Sequence, residues 1–211
     1  MNAFLRTAWL VIFCALLQAC ASTKAPPQFD SASTLRHQLH LQQLAHLQQF
    51  TLKGRIGVQT ANKGFSGGVL WQHAATHDSI ALYSPLGSQV ASISKDSQRV
   101  TLEDANGNSI SADSAESLTQ AALGWQLPLT GLADWSVGRP SQSPVEISTW
   151  DEQGRLITLK QDGWDIEYEH YAEKDDYMLP HKILLKSEKV NLKLLVEQWH
   201  FVGKSEPIDT K

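Results

Sequence analysis

The sequence predicts a mainly β, α+β domain: a curved antiparallel sheet of about ten strands, with two or three helices over one face. Three observations predict it. Beyond Leu52, apolar and polar residues alternate with a period of two in short runs. Gly, Asn, Asp and Pro punctuate those runs too closely for crossover helices, which favours a meander over alternating βα units. Helical spacing is confined to a few segments, one before the runs and the others in their middle.

The chain has 211 residues, 42% apolar and 19% charged, with a formal net charge of −4. One domain with a sizeable core fits that length. The mild acidity counts against a nucleic-acid partner, which would call for a basic face. Charged residues are too few for wholesale disorder. A polytopic membrane protein is excluded because one stretch alone, near the N-terminus, resembles a span.

That stretch reads as an export signal over residues 1–19. Arg6 precedes an apolar run from Ala8 to Leu17 that is too short to cross a bilayer comfortably. The run ends in Leu17-Gln18-Ala19-Cys20, which resembles a bacterial lipobox and implies a covalent lipid on Cys20 with cleavage just before it. A plain signal or an uncleaved anchor with an incidental cysteine is the competing reading. Both cysteines fall within the first twenty residues, so no internal disulfide is expected after cleavage. Ala21 stands where an aspartate would favour retention in the inner membrane, which implies the outer membrane, facing the periplasm. Without Arg6 the chain keeps 17 basic and 22 acidic residues, a formal −5. Attachment to a membrane must then come from acyl chains and an apolar loop rather than from anionic head groups. Residues 20–33, with Pro26-Pro27, read as a lipidated tether, and 34–211 as a single domain.

From Thr34 to Phe50, Leu35, Leu39, Leu41, Leu44, Leu47 and Phe50 recur at roughly helical spacing and predict an amphipathic helix. His37 and His40 share another face and read as solvated, since no nearby carboxylate or cysteine completes a metal site. Strands are predicted at 55–60, 65–73, 79–84, 89–95, 99–103 and 109–112, with Asn106-Gly107 as a tight turn. Asp113 reads as a helix N-cap with Glu116 three residues on, and Gly124 as the stop. A shorter helical turn carries Leu132 and Trp135 before Gly138-Arg139-Pro140. Strands resume at 155–161 and 164–169 around Asp162-Gly163, then at 181–187 and 190–201. The apolar positions of the last strand change parity between Val196 and Trp199, which suggests a bulge or an end covered on both sides.

Enzyme signatures find no support. Gly64-Phe65-Ser66-Gly67-Gly68 matches G-x-S-x-G, but Val69-Leu70-Trp71-Gln72 continues as strand where a nucleophile elbow needs a helix. Those glycines read instead as room for a bend or a close approach. His73 and His77 have the spacing of a zinc helix without its glutamate. No phosphate loop, CxxC pair or dinucleotide fingerprint occurs, and neither metal nor cofactor is expected beyond the lipid on Cys20.

The lipobox, Gly54-Arg55-Ile56, Val69-Leu70-Trp71-Gln72, Ser84-Pro85-Leu86-Gly87, Asp113-Ser114-Ala115-Glu116, Pro128-Leu129, Leu132-Ala133-Asp134-Trp135, Gly138-Arg139-Pro140 and Gly163-Trp164 together resemble the LolB family of outer-membrane lipoprotein receptors. The resemblance runs from about Phe50 to Trp199. It implies an unclosed antiparallel half-barrel of ten to eleven strands whose concave apolar face is covered by helices. It also implies receipt of lipoproteins from the periplasmic carrier LolA and delivery of their acyl chains into the inner leaflet of the outer membrane. A monomer is expected. Structural or assembly lipoproteins that bind protein partners, and periplasmic acyl-chain binders, remain the alternatives.

Candidates for the acyl-chain cavity are Val69, Trp71, Ile80, Leu82, Val100, Leu102, Trp164, Ile166 and Tyr168, each equally explicable as ordinary core. Pro85 and Gly87 set Leu86 in a tight reversal, and the resemblance implies an outward leucine that touches the membrane.

Overall fold

The structure, a computed structural model, describes residues 30–123 and 129–201. The export signal, Cys20, most of the tether and the segment around Gly124 lie outside the described residues. One antiparallel sheet forms the frame. Its first six strands are β1 (Phe50–Thr60), β2 (Gly64–Ala74), β3 (His77–Tyr83), β4 (Gln89–Lys95), β5 (Val100–Asp104) and β6 (Ser109–Ala112). The other five are β7 (Val145–Trp150), β8 (Leu156–Gln161), β9 (Trp164–Lys174), β10 (Tyr177–Lys186) and β11 (Val190–His200). Helix α1 (Ser31–Leu44) precedes β1, and α2 (Ala115–Leu123) and α3 (Leu129–Ser136) lie between β6 and β7.

Strands β1–β6 and β7–β11 are two meanders, joined where β1 pairs with β11 at the centre of the sheet. Strands β6 and β7 are therefore the two edges, and the sheet does not close. The chain leaving β6 must travel from one edge to the other. It carries α2 and α3 on the way, which places them over the concave face. The half-barrel expected from the sequence is borne out.

Period-two alternation sets that face. Trp199, Leu52, Trp71, Ile80, Ile93 and Leu102 stand opposite one another on successive strands. A second row runs through Val58, Leu192, Leu185, Ile166 and Leu159. The parity change in β11 is a bulge: Lys53 pairs with Gln198 and Gly54 with Val196, so Glu197 is left over and Trp199 returns to the concave side.

Three elements depart from the sequence expectation. Strand β7 was not anticipated: it is an edge strand, and its Val145 and Ile147 are exposed rather than inward, so it lacks a buried stripe. The N-cap of α2 is Ser114, not Asp113, because its hydroxyl accepts from the Ser117 N–H at 3.1 Å. Helix α1 departs most. Asp30 caps it by accepting from Ser33 N–H at 2.6 Å, and it stops at Leu44, while Leu47 and Phe50 enter the core from the following link and from β1.

The buried face of α1 is Ser33, His37, His40 and Leu44, whereas Leu35 and Leu39 are about half exposed (55% and 54%). The surface that receives the helix explains the reversal. The β7–β8 hairpin offers the flat ring of Trp150, on which the His37 imidazole stacks at 4.2 Å with a 3° interplanar angle. The same hairpin offers backbone carbonyls: His37 Nδ1 lies 2.7 Å from Gly154 O, and Arg36 Nε donates to Glu152 O. Planar, hydrogen-bonding side chains suit that surface better than leucine. Gln43 then reaches Asp176 O on the β9–β10 hairpin, so α1 crosses the end of the sheet at which β1 begins.

Candidate functional site

Between the concave face and the inner sides of α2 and α3 lies an apolar cavity of about 360 Å³. Of the residues predicted to line it, Val69, Trp71, Ile80, Leu82 and Leu102 do so. Val100, Trp164, Ile166 and Tyr168 are buried in the same core but outside the cavity wall. Tyr168 sits deep enough that burial pushes its phenol far above the ordinary tyrosine range.

The sequence reading missed Ile56 and Val58 of β1, Leu192 and Leu194 of β11, and Leu132 of α3. The alternation in β11 was visible, but nothing local says that the first and last strands pair. That contact is what brings the four strand residues to one wall.

Glycines admit this curvature. A Cβ on Gly67 would run into the Tyr83 carbonyl oxygen, so the close approach of β3 to β2 requires glycine there. Ser66 lies exposed within the continuous strand β2, facing away from the cavity, with Gly57 as its partner across the strands. It has none of the geometry of a nucleophile at a strand-to-helix turn.

Farther along the concave face, Trp71 both lines the cavity and closes a polar cluster. Its Nε1–H donates to Asp78 Oδ1 at 2.8 Å, and His73 Nδ1 lies 2.7 Å from the same oxygen. Lys95 Nζ stands 3.8 Å from the other carboxylate oxygen. Asp78 is 2% exposed, so these partners are what make a buried carboxylate tolerable. His77 is exposed at the turn, and among the described residues no cluster of three or more His, Cys, Asp or Glu side chains could hold a metal ion.

At the opposite end of the strands, Ser84-Pro85-Leu86-Gly87-Ser88 closes a tight loop. Gly87 N–H donates to Ser84 O at 2.9 Å and Ser84 N–H to Ser88 O at 2.8 Å, with Gly87 at φ +88°. Leu86 stands at its tip, 96% exposed. The hairpin bearing Thr60, Lys63 and Gly64, which forms part of the cavity rim, projects from that same end.

Residues 48–199 match the family described as "Outer membrane lipoprotein LolB". The chain belongs to the LolB family. It is 32% identical over 197 residues to an outer-membrane lipoprotein LolB of Pseudomonas fluorescens, covering 93% of this chain and 96% of that one. It is 37% identical over 158 residues to the LolB of Nitrosomonas europaea, covering 74% of each. The matched span is the stretch in which the resemblance was read from short motifs. Among solved structures, a putative outer membrane lipoprotein-sorting protein domain from Vibrio parahaemolyticus matches with a TM-score of 0.52. At 8% identity over 83% of this chain and 95% of that one, this likeness speaks for the fold alone.

Proposed function

We propose that this protein is an outer-membrane lipoprotein receptor. It takes lipoproteins from a LolA-type periplasmic carrier, shelters their acyl chains in the apolar cavity and passes them to the inner leaflet of the outer membrane. Membership of the LolB family supports this reading, and one observation carries it: a 360 Å³ apolar hollow between the concave sheet and α2–α3. That volume lies within the range of about 300–1,000 Å³ typical of small-ligand sites.

The physical need is clear. Each buried methylene is worth about 0.8 kcal/mol, so the chains of one lipoprotein together hold it with tens of kcal/mol. Escape through water is far too slow, and transfer must run from one apolar cavity directly to another. Val69, Trp71, Ile80, Leu82 and Leu102 serve as wall, while Val100, Trp164, Ile166 and Tyr168 support it from the core. No step breaks or makes a covalent bond, so the receptor needs neither catalyst nor cofactor.

Pro85, Leu86 and Gly87 form the contact with the bilayer. Burying one leucine is worth about 1.5–3 kcal/mol, enough to orient the rim against lipid and too little to anchor the protein. Anchoring falls to the lipid on Cys20. The test is transfer of a lipoprotein from purified carrier to this protein, followed by gel filtration. Cargo should move into the fractions of this protein, and cargo that stays wholly with the carrier rejects the reading.

A further inference from the structure

We propose that the cavity also accepts single-chain amphiphiles with an anionic head group, carboxylate or phosphate, and that the Lys63 ammonium at the rim holds the head. The inference rests on the cavity reading above and adds a ligand class to it.

Charge is scarce around this hollow. Among the described residues that line it, Lys63 is the one charged side chain. The two hydroxyls on the wall are engaged elsewhere: Thr119 Oγ1 donates to Ala115 O at 2.7 Å, and Thr60 Oγ1 donates to Lys63 O at 3.0 Å. Thr60 Oγ1 also accepts from Lys63 N–H at 3.0 Å, and Thr60 N–H donates to Lys63 O at 2.8 Å. Those bonds close the β1–β2 turn and fix the Lys63 backbone at the rim, where its alkyl stem can follow the apolar wall while the ammonium stays in water.

No carboxylate among the described residues comes within ion-pair distance of that ammonium, whereas Lys95, Lys160 and Lys182 each have one. An alkyl chain against Phe65, Leu82 and Val90 would put a head group at the mouth, where an anion gains an ion pair with the ammonium and an uncharged head gains at most a weaker hydrogen bond. The diacylglyceryl and amide groups of an acylated lipoprotein offer no such anion. Lys63 therefore has most to give to a different ligand, a fatty-acid or lysophospholipid type of molecule.

The test uses the chain from residue 20 onward with Cys20→Ala, in detergent-free buffer at low salt, loaded with an apolar fluorescent probe. Dodecanoate, dodecyl phosphate and dodecanol are compared as competitors. Both anions should displace the probe at about tenfold lower concentration than the alcohol, the difference between an ion-paired hydrogen bond and one to a neutral oxygen. Lys63→Gln should erase that preference without moving the alcohol, and Lys63→Arg should keep it. A preference for the phosphate alone, lost in Lys63→Gln, sustains the proposal and points to a phospholipid-like source; one for the carboxylate alone points to a free fatty acid. Equal midpoints for all three competitors, or a preference undiminished in Lys63→Gln, overturn it. Should dodecanol itself fail to displace a bound probe, or the probe fail to bind, the cavity reading falls as well, an outcome distinct from loss of the charge preference alone.

Discussion

Trp135 and Gln161, 26 residues apart in the chain and both fully buried, meet in the core with Trp135 Nε1–H donating to Gln161 Oε1 at 2.8 Å. The same oxygen accepts from Ser141 N–H at 3.0 Å, while Gln161 Nε2 donates to Ser143 O at 2.5 Å and Ser141 O at 3.2 Å. One amide thus fastens α3 and the following link to strand β8. Gln161→Leu keeps the approximate volume but leaves the Trp135 and Ser141 donors unpaired, at a cost of about 2–4 kcal/mol. Urea unfolding should show the loss as a lower midpoint at unchanged slope; a change below about 0.5 kcal/mol would discard the clamp.

Ala91 lines the cavity from β4 and is half-buried. Ala91→Trp should fill the hollow from a wall that is partly open, lowering affinity for an apolar probe at least about tenfold with a modest effect on folding. Titration of the probe together with a thermal melt distinguishes a filled cavity from a damaged fold. Unaltered probe affinity would mean that the chain binds apolar ligands somewhere else.

Leu86 touches nothing that holds the fold together, so Leu86→Glu should change stability by less than about 0.5 kcal/mol. Probe binding should be normal too. Release of cargo into liposomes should fail if the proposed bilayer contact holds, because a carboxylate cannot enter an apolar layer as a leucine can. Equal release by variant and parent protein would remove Leu86 from the mechanism.

Burial holds the His40 imidazole at a pKa of about 4 against an ordinary 6.5; His37 pushes the same way, Asp151 pulls against it and Arg155 adds a smaller push downward. Between those values the unfolded chain binds the proton and the folded chain does not. Stability is therefore full above pH 6.5, declines as the pH falls, and has lost this contribution by pH 4. His40→Leu should flatten that part of the profile in melts taken from pH 7.5 to 4. A decline as steep in the variant would assign it to other groups.

Much of the sheet was legible in the sequence. The Asp162-Gly163 hairpin and the β11 bulge follow from local rules, a pair of residues at positive φ and a parity change in an alternating strand. Asn106-Gly107 lies instead in a longer loop between β5 and β6, in which Gly107 takes the positive φ. Strand β7 was not legible, because an edge strand with outward Val145 and Ile147 has no buried stripe to betray it. Helix α1 was found but turned over, since leucine spacing assumes an apolar receiving surface and the β7–β8 hairpin presents carbonyls and a tryptophan ring.

The same division holds for the site. Alternation in β2 and β3 was enough to name Val69, Trp71, Ile80 and Leu82, because which side of a strand a residue faces is settled within a few positions. Whether an inward residue borders a hollow or packs solidly, as Ile166 and Trp164 do, depends on where the β6-to-β7 connection sets α2 and α3. Composition and periodicity determined the strands, their turns and the apolar face. Only the tertiary structure decided where that face stays unfilled, because the pairing of β1 with β11 and the path of the helices are long-range events that no local pattern encodes.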